Sequence, residues 1–217
     1  MAAIRHVWFD LDGTLAVRNS DYATRHADLR HHTYAEVTGQ PYTDALAEEY
    51  EALYRRHGSN SAVFKSLGLP GDFWQQQSSL VGLNSFYHPR IDIIRTLQQL
   101  REQVPISLFT NGGRDEVARI LQTIHVEPSW FTHVITGDDV TERKPALAGF
   151  NEIIRRSELP PAQILYVGDR VATDLLPAKS VGLRTCLVFS SSDESDYAID
   201  NFADIIGFVA AADDRAL

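Results

Sequence analysis

Asp10 and Asp12, separated by one residue, follow the apolar run "HVWF" and precede Gly13 and Thr14. Carboxylates this close repel each other unless a cation or a shared proton accompanies them. A divalent ion with hard oxygen ligands meets that need, and Mg2+ suits such a set. One carboxylate would then hold the ion, and the other could give and take a proton. A strand end running into an Asx turn produces the same letters, so the pair alone leaves both readings open.

Three other stretches carry groups that complement an acidic, anion-handling site. After "ISLF" come Thr110, Asn111, Gly112 and Gly113, whose hydroxyl, amide and main-chain N–H groups can present donors to a phosphate. A loop after "HVIT" holds Arg143, Lys144 and Pro145, where a fixed cation would neutralise developing negative charge. After "ILYV" come Asp169 and, five positions on, Asp174, acids that would complete a metal site. Each alone also reads as an ordinary loop or a solvated charge. Together they form a set suited to one anion and one metal.

The elements that must position these groups alternate. "HVWF" (6–9), "ISLF" (106–109), "HVIT" (133–136), "ILYV" (164–167) and "TCLVF" (185–189) are short and nearly continuous in apolar residues, as strands covered on both faces are. Between them lie helical patterns. Val117, Ile120, Leu121 and Ile124 form one apolar stripe, and "FNEIIRR" (150–156) and "DLLPAKSVG" (174–182) are shorter candidates, the second starting near Pro177. The alternation predicts an α/β fold, a Rossmann-like parallel sheet with helices on both faces. In such sheets ligands bind at the carboxyl ends of the strands, where all four stretches lie. Residues 17–88 break the alternation with helical patterns alone, such as Leu46, Tyr50, Leu53 and Tyr54. We expect a small α-helical domain at 17–88, inserted after the first strand of a core made of 1–16 and 89–217.

The ordered set "DLDGT", "TNGG", "RKP" and "GDRVATD" resembles the motifs of the haloacid dehalogenase-like hydrolase superfamily, with the insert where that family carries a helical cap. The resemblance implies a phosphatase using Mg2+ and an aspartyl-phosphate. It implies Asp10 as nucleophile, Asp12 as general acid/base, and Lys144 as the charge-balancing lysine. Thr110, Asn111 and Gly112 would hold phosphate. Asp10, Asp12 (through its carbonyl), Asp169 and Asp174 would bind the metal, Asp174 through water or by holding Lys144. The family often has "PDP" after the lysine where this chain has "KPALAGF". Dehalogenases of the superfamily do without the second aspartate, so Asp12 argues for phosphorus chemistry. A sugar-phosphate mutase and a non-enzymatic binding protein are the alternatives. The cap is similar to pyrimidine 5′-nucleotidase and phosphoglycolate phosphatase branches, which points to a small phosphorylated metabolite, a nucleoside monophosphate being favoured. Arg56, His57, Ser59 and Asn60, at a helix end entering a loop, are the candidate substrate residues.

Composition narrows the partners. A net charge of −9 disfavours binding a nucleic-acid polymer. The absence of a signal-like apolar stretch or a membrane-length run, with Cys186 as the only cysteine, gives the expectation of a cytoplasmic protein away from membranes. His26, His31, His32, His57 and His88 show no metal-ligand spacing and read as scattered. Asp138 and Asp139 read as a turn, Trp8, Trp74 and Trp130 as packing residues. Residues 190–202 read as a polar loop before the apolar "IIGFV".

Overall fold

The computed structural model describes residues 3–19, 21–80 and 86–210. The described chain forms two compact units. One comprises 1–17 and 87–217, the other Arg18–Phe86.

The larger unit is a six-stranded parallel sheet in the order β3-β2-β1-β4-β5-β6. Its strands are β1 (His6–Phe9), β2 (Ile106–Phe109), β3 (Val134–Ile135), β4 (Ile164–Gly168), β5 (Arg184–Val188) and β6 (Tyr197–Ile199). Side chains alternate between two cores, as a two-residue repeat requires. Val7, Phe9, Leu165 and Val167 pack on one face with helices α5 (Ile91–Arg101) and α6 (Arg114–Thr123). Trp8, Phe109, Ile164 and Tyr166 pack on the other with α7 (Leu147–Ser157) and α8 (Leu176–Ser180). Burial on both faces explains why these strands carry no polar alternation.

Two elements differ from the expectation. The stretch 190–202 is not all loop, since Tyr197–Ile199 adds parallel edge strand β6 beside β5. Asp196 pins that edge by accepting the Thr185 N–H at 2.9 Å, so an acidic residue that reads as loop is part of the pairing. Pro177 does sit in the first turn of α8, but a π-helical turn, Val171–Leu175, precedes it and carries Asp174. Proline has no N–H to continue an α-helix from upstream, and the wider turn fits in front of it.

The second unit holds α1 (Asp21–Thr38), α2 (Asp44–His57), α3 (Asn60–Ser66) and α4 (Phe73–Leu80). It has its own core of Tyr34, Leu46, Tyr50, Val63, Phe64 and Trp74.

His6 makes the sheet sensitive to acid. Its ring is buried against Trp8 and His133. Its Nε2 lies 2.9 Å from Ser107 Oγ, which accepts the His133 N–H at 3.0 Å. Burial, together with His133, lowers the His6 pKa from 6.5 to about 4. Between those values the unfolded chain binds more protons, so this stabilisation is full above 6.5 and is lost as pH falls toward 4. We expect roughly 1–2 kcal/mol to disappear from this source between pH 7 and pH 5. Urea midpoints at both pH values for wild type and His6→Gln isolate it, because other titrating groups act in both proteins. An equal fall in the two would exclude His6 as the cause.

Candidate active site

The register brings the four polar stretches together. Phe9 pairs with Leu108 and Val167, and Phe109 pairs with Ile135. Asp10 N–H continues the ladder to Val167 O at 2.9 Å, and Thr110 N–H to Ile135 O at 3.0 Å. The residues that follow each strand therefore leave the sheet on the same edge.

Asp10 does not enter an extended segment. The carbonyl of Leu11 accepts the N–H groups of Thr14, Leu15 and Ala16, which folds 11–16 into a tight loop. Gly13 has φ +85°, and a Cβ there would stand 2.2 Å from Asp169 Oδ2. Glycine is needed for both the left-handed backbone and the approach of Asp169. Gly168 is required by close approach alone, since a Cβ would fall 2.7 Å from the Asp174 Cβ.

Lys144 is the centre of the arrangement. Its Nζ lies 2.7 Å from Asp10 Oδ1, 2.6 Å from Asp174 Oδ1, 2.9 Å from Tyr166 Oη and 3.3 Å from Phe109 O. An ammonium has three hydrogens. The two carboxylates and the phenol take them, and the Tyr166 hydroxyl can donate to Phe109 O at 3.3 Å. The lysine is 6% exposed and Asp174 is 1% exposed. Asn111 holds the lysine's main chain, accepting its N–H at 2.8 Å and donating to its carbonyl at 3.0 Å.

Charge crowding shapes the acids. Burial, with Asp174 and Asp12 nearby, raises Asp10 from 3.8 to about 7 against the pull of Lys144. Burial alone would lower Lys144, but Asp10, Tyr166 and Asp174 carry it well above the usual lysine range. Asp169 is raised by burial and by Asp174. Its Oδ1 is buried without a hydrogen-bond partner. Asp10, Asp169 and Asp174 each offer an oxygen within 4.8 Å of the others. An orphaned carboxylate oxygen in an all-oxygen cluster fits a hard divalent cation.

Other expected residues are placed as follows. Asp12 is half-buried on the loop after Asp10, and Tyr87 donates to its Oδ1. The Thr110 hydroxyl is buried and accepts the Gly112 N–H at 3.2 Å. In the second unit, Arg56 is exposed and His57 half-buried at the end of α2. Ser59 caps α3, accepting the Ala62 N–H, and buried Asn60 accepts from Tyr50 Oη at 2.7 Å. Those last two side chains are committed to the unit's own structure. Asp138 and Asp139 shape a turn, accepting from Arg114 N and Thr136 N respectively. Tyr166 and Tyr87 carry no signal of a role in the sequence, where both look like core rings; the register of β4 turns the Tyr166 hydroxyl to Lys144, and the return of the chain at 87 brings the Tyr87 hydroxyl to Asp12.

A family model described as haloacid dehalogenase-like hydrolase matches residues 4–182. A phosphoglycolate phosphatase of Pectobacterium atrosepticum is 26% identical over 96% of this chain and 94% of its own. A solved HAD phosphatase from Thermococcus onnurineus superposes with a TM-score of 0.74 at 22% identity, covering 96% of this chain and 98% of that one. The HAD-hydrolase YfnB from Bacillus subtilis, solved bound to magnesium, gives a TM-score of 0.68 at 18% identity, covering 96% and 99%.

Proposed function

The chain belongs to the haloacid dehalogenase-like hydrolase family and is a phosphoric monoester hydrolase, and we propose that it works through an aspartyl-phosphate on Asp10 with Mg2+ as its metal. The observation that carries this reading is the buried Lys144 ammonium clamped between Asp10 and Asp174, beside the unpartnered oxygen of Asp169.

Lys144 holds Asp10 Oδ1, which orients the carboxylate for attack on phosphorus. As the Asp10 O–P bond forms, the bond from phosphorus to the ester oxygen breaks, and Asp12 protonates the leaving oxygen. Asp12 then takes a proton from water, whose oxygen attacks phosphorus and releases Asp10 and inorganic phosphate. Thr110, Asn111 and Gly112 are assigned to the phosphate side of the site, Asn111 by anchoring the Lys144 loop. Asp10, Asp169 and Asp174, with the Asp12 carbonyl, are the groups that would hold the metal. When bound, Mg2+ supplies positive charge to the phosphoryl oxygens and offsets the crowded acids.

The substrate is a small phosphorylated metabolite. The phosphoglycolate phosphatase relatives support a short organic phosphate over the nucleoside monophosphate that the cap's resemblance favours, and among the candidate substrate residues Ser59 and Asn60 have structural tasks. We assign the cap role to the helical unit, with Arg56 and His57 as its candidate contacts. Among the described residues no helix is long and apolar enough to cross a membrane; a reducing cytoplasm is the compartment proposed.

Phosphate release across short acid phosphates, sugar phosphates and nucleoside monophosphates, with and without EDTA, tests these assignments. We expect turnover to vanish on chelation, to return with Mg2+, and to be highest on short acid phosphates. Full turnover after exhaustive chelation would contradict the metal assignment. A phosphoryl label on Asp10 that hydroxylamine removes is expected in the first turnover, and its absence would contradict the intermediate.

A further inference from the structure

The hydroxyl of Tyr87 donates to Asp12 Oδ1 at 2.6 Å, across 75 positions of sequence. The ring is 3% exposed and belongs to the core cluster that includes Leu11 and Leu15, the residues flanking the loop of Asp12. Tyr87 is also the first residue of the sheet unit after the helical unit ends at Phe86. The reaction as derived above makes no use of it.

We propose that Tyr87 is the positioning residue for Asp12, an inference that rests on Asp12 being the acid/base. The two neighbouring carboxylates face different orientation problems. Asp10 is buried and gripped by an ammonium. Asp12 is half-buried on a loop, and the torsion that turns a carboxyl group is soft. A hydrogen bond from a ring locked in the core removes that freedom. The short contact also ties the orientation of the acid/base to the point where the chain returns from the helical unit.

Tyr87→Phe keeps the ring and its packing and removes only the donor. Two substrates separate its effects. An aryl phosphate with an acidic phenol needs little protonation on departure, whereas an alkyl phosphate needs it fully. We expect kcat/KM for the alkyl phosphate to fall about 10-fold or more, through kcat and with KM little changed. First-turnover release from the aryl phosphate should fall by no more than about threefold, since that step makes little use of a general acid. The ratio of the two rates does not depend on how much of the sample is folded. Equal loss on both substrates would make Tyr87 a packing residue, and no loss on either would remove it from the reaction; both results overturn the proposal. Asp12→Asn is measured alongside. If it too leaves alkyl phosphate turnover intact, the acid/base reading itself has failed. If it abolishes that turnover while Tyr87→Phe does not, only the positioning role has.

Discussion

Asp10→Asn is expected to reduce turnover by on the order of 10⁴-fold or more, the scale seen when a nucleophile is removed. The amide is nearly isosteric, yet it cannot form the covalent intermediate, so no substrate should escape the loss. Stability should move the other way. In the folded protein Asp10 is raised from 3.8 to about 7, chiefly by burial. Between those values the folded state binds more protons than the unfolded chain, so stability declines as pH rises through the window. Asparagine carries no such penalty. Metal-free Asp10→Asn should therefore melt above the metal-free wild type at pH 8, with the gap closing toward pH 4. Lys144 keeps Asp174 as its partner in the variant. Calorimetry and phosphate release on the same preparations check both parts. Turnover near wild type would sink the nucleophile assignment, and a lower melting point at pH 8 would show that Asp10 stabilises the fold.

Lys144→Met should cost both activity and stability. The substitution keeps an unbranched chain in the space between Phe109 and Tyr166 but deletes the ammonium that both buried acids share. Removing one member of a buried ion pair typically costs roughly 3–5 kcal/mol, because a charge is left uncompensated. Loss of the charge beside the reacting phosphoryl group should lower turnover by about 10³-fold. Adding Asp10→Asn to this variant removes one orphaned carboxylate and should recover part of the stability and none of the activity. Denaturant midpoints for the two single variants and the double variant provide the cycle. If Lys144→Met melts like wild type, the lysine is not what balances the buried acids.

How much of this was legible in the sequence follows from geometry. Strands buried on both faces, such as "ILYV" and "ISLF", are apolar without interruption and stand out. Because parallel strands share one carboxyl edge, Asp10, Thr110 and Asp169 can be grouped before any coordinates exist. β6 was hidden because it is three residues long and follows Asp193, Glu194 and Asp196. Tyr166 was hidden for another reason. Whether its hydroxyl meets Lys144 depends on which face of β4 it occupies, and a run buried on both sides gives no alternation to tell. Asn111 read as a phosphate neighbour, while its side chain in fact bridges to the main chain of Lys144 across 33 positions. Contacts of that range lie beyond any local pattern. Ser59 and Asn60 show the converse: polar letters at a helix break suggest recognition, yet a cap and a buried bond to Tyr50 account for them.

The strand order has a consequence for how the molecule comes into being. β1 is made first and lies in the middle of the sheet, but its partners are residues 106–109 and 164–168. During synthesis it waits without a neighbour while the helical unit, whose helices follow one another closely along the chain, completes its own core. Pairing across such distances is slow, because a long loop must close before any contact rewards it. Asp10 thus emerges from the ribosome long before Lys144, the lysine that holds it, and Asp174 comes later still. A chain stopped short of residue 174 holds Asp10, Asp12 and Lys144 but not the second acid that shares the ammonium, and the strands β5 and β6 that complete the sheet are made after it.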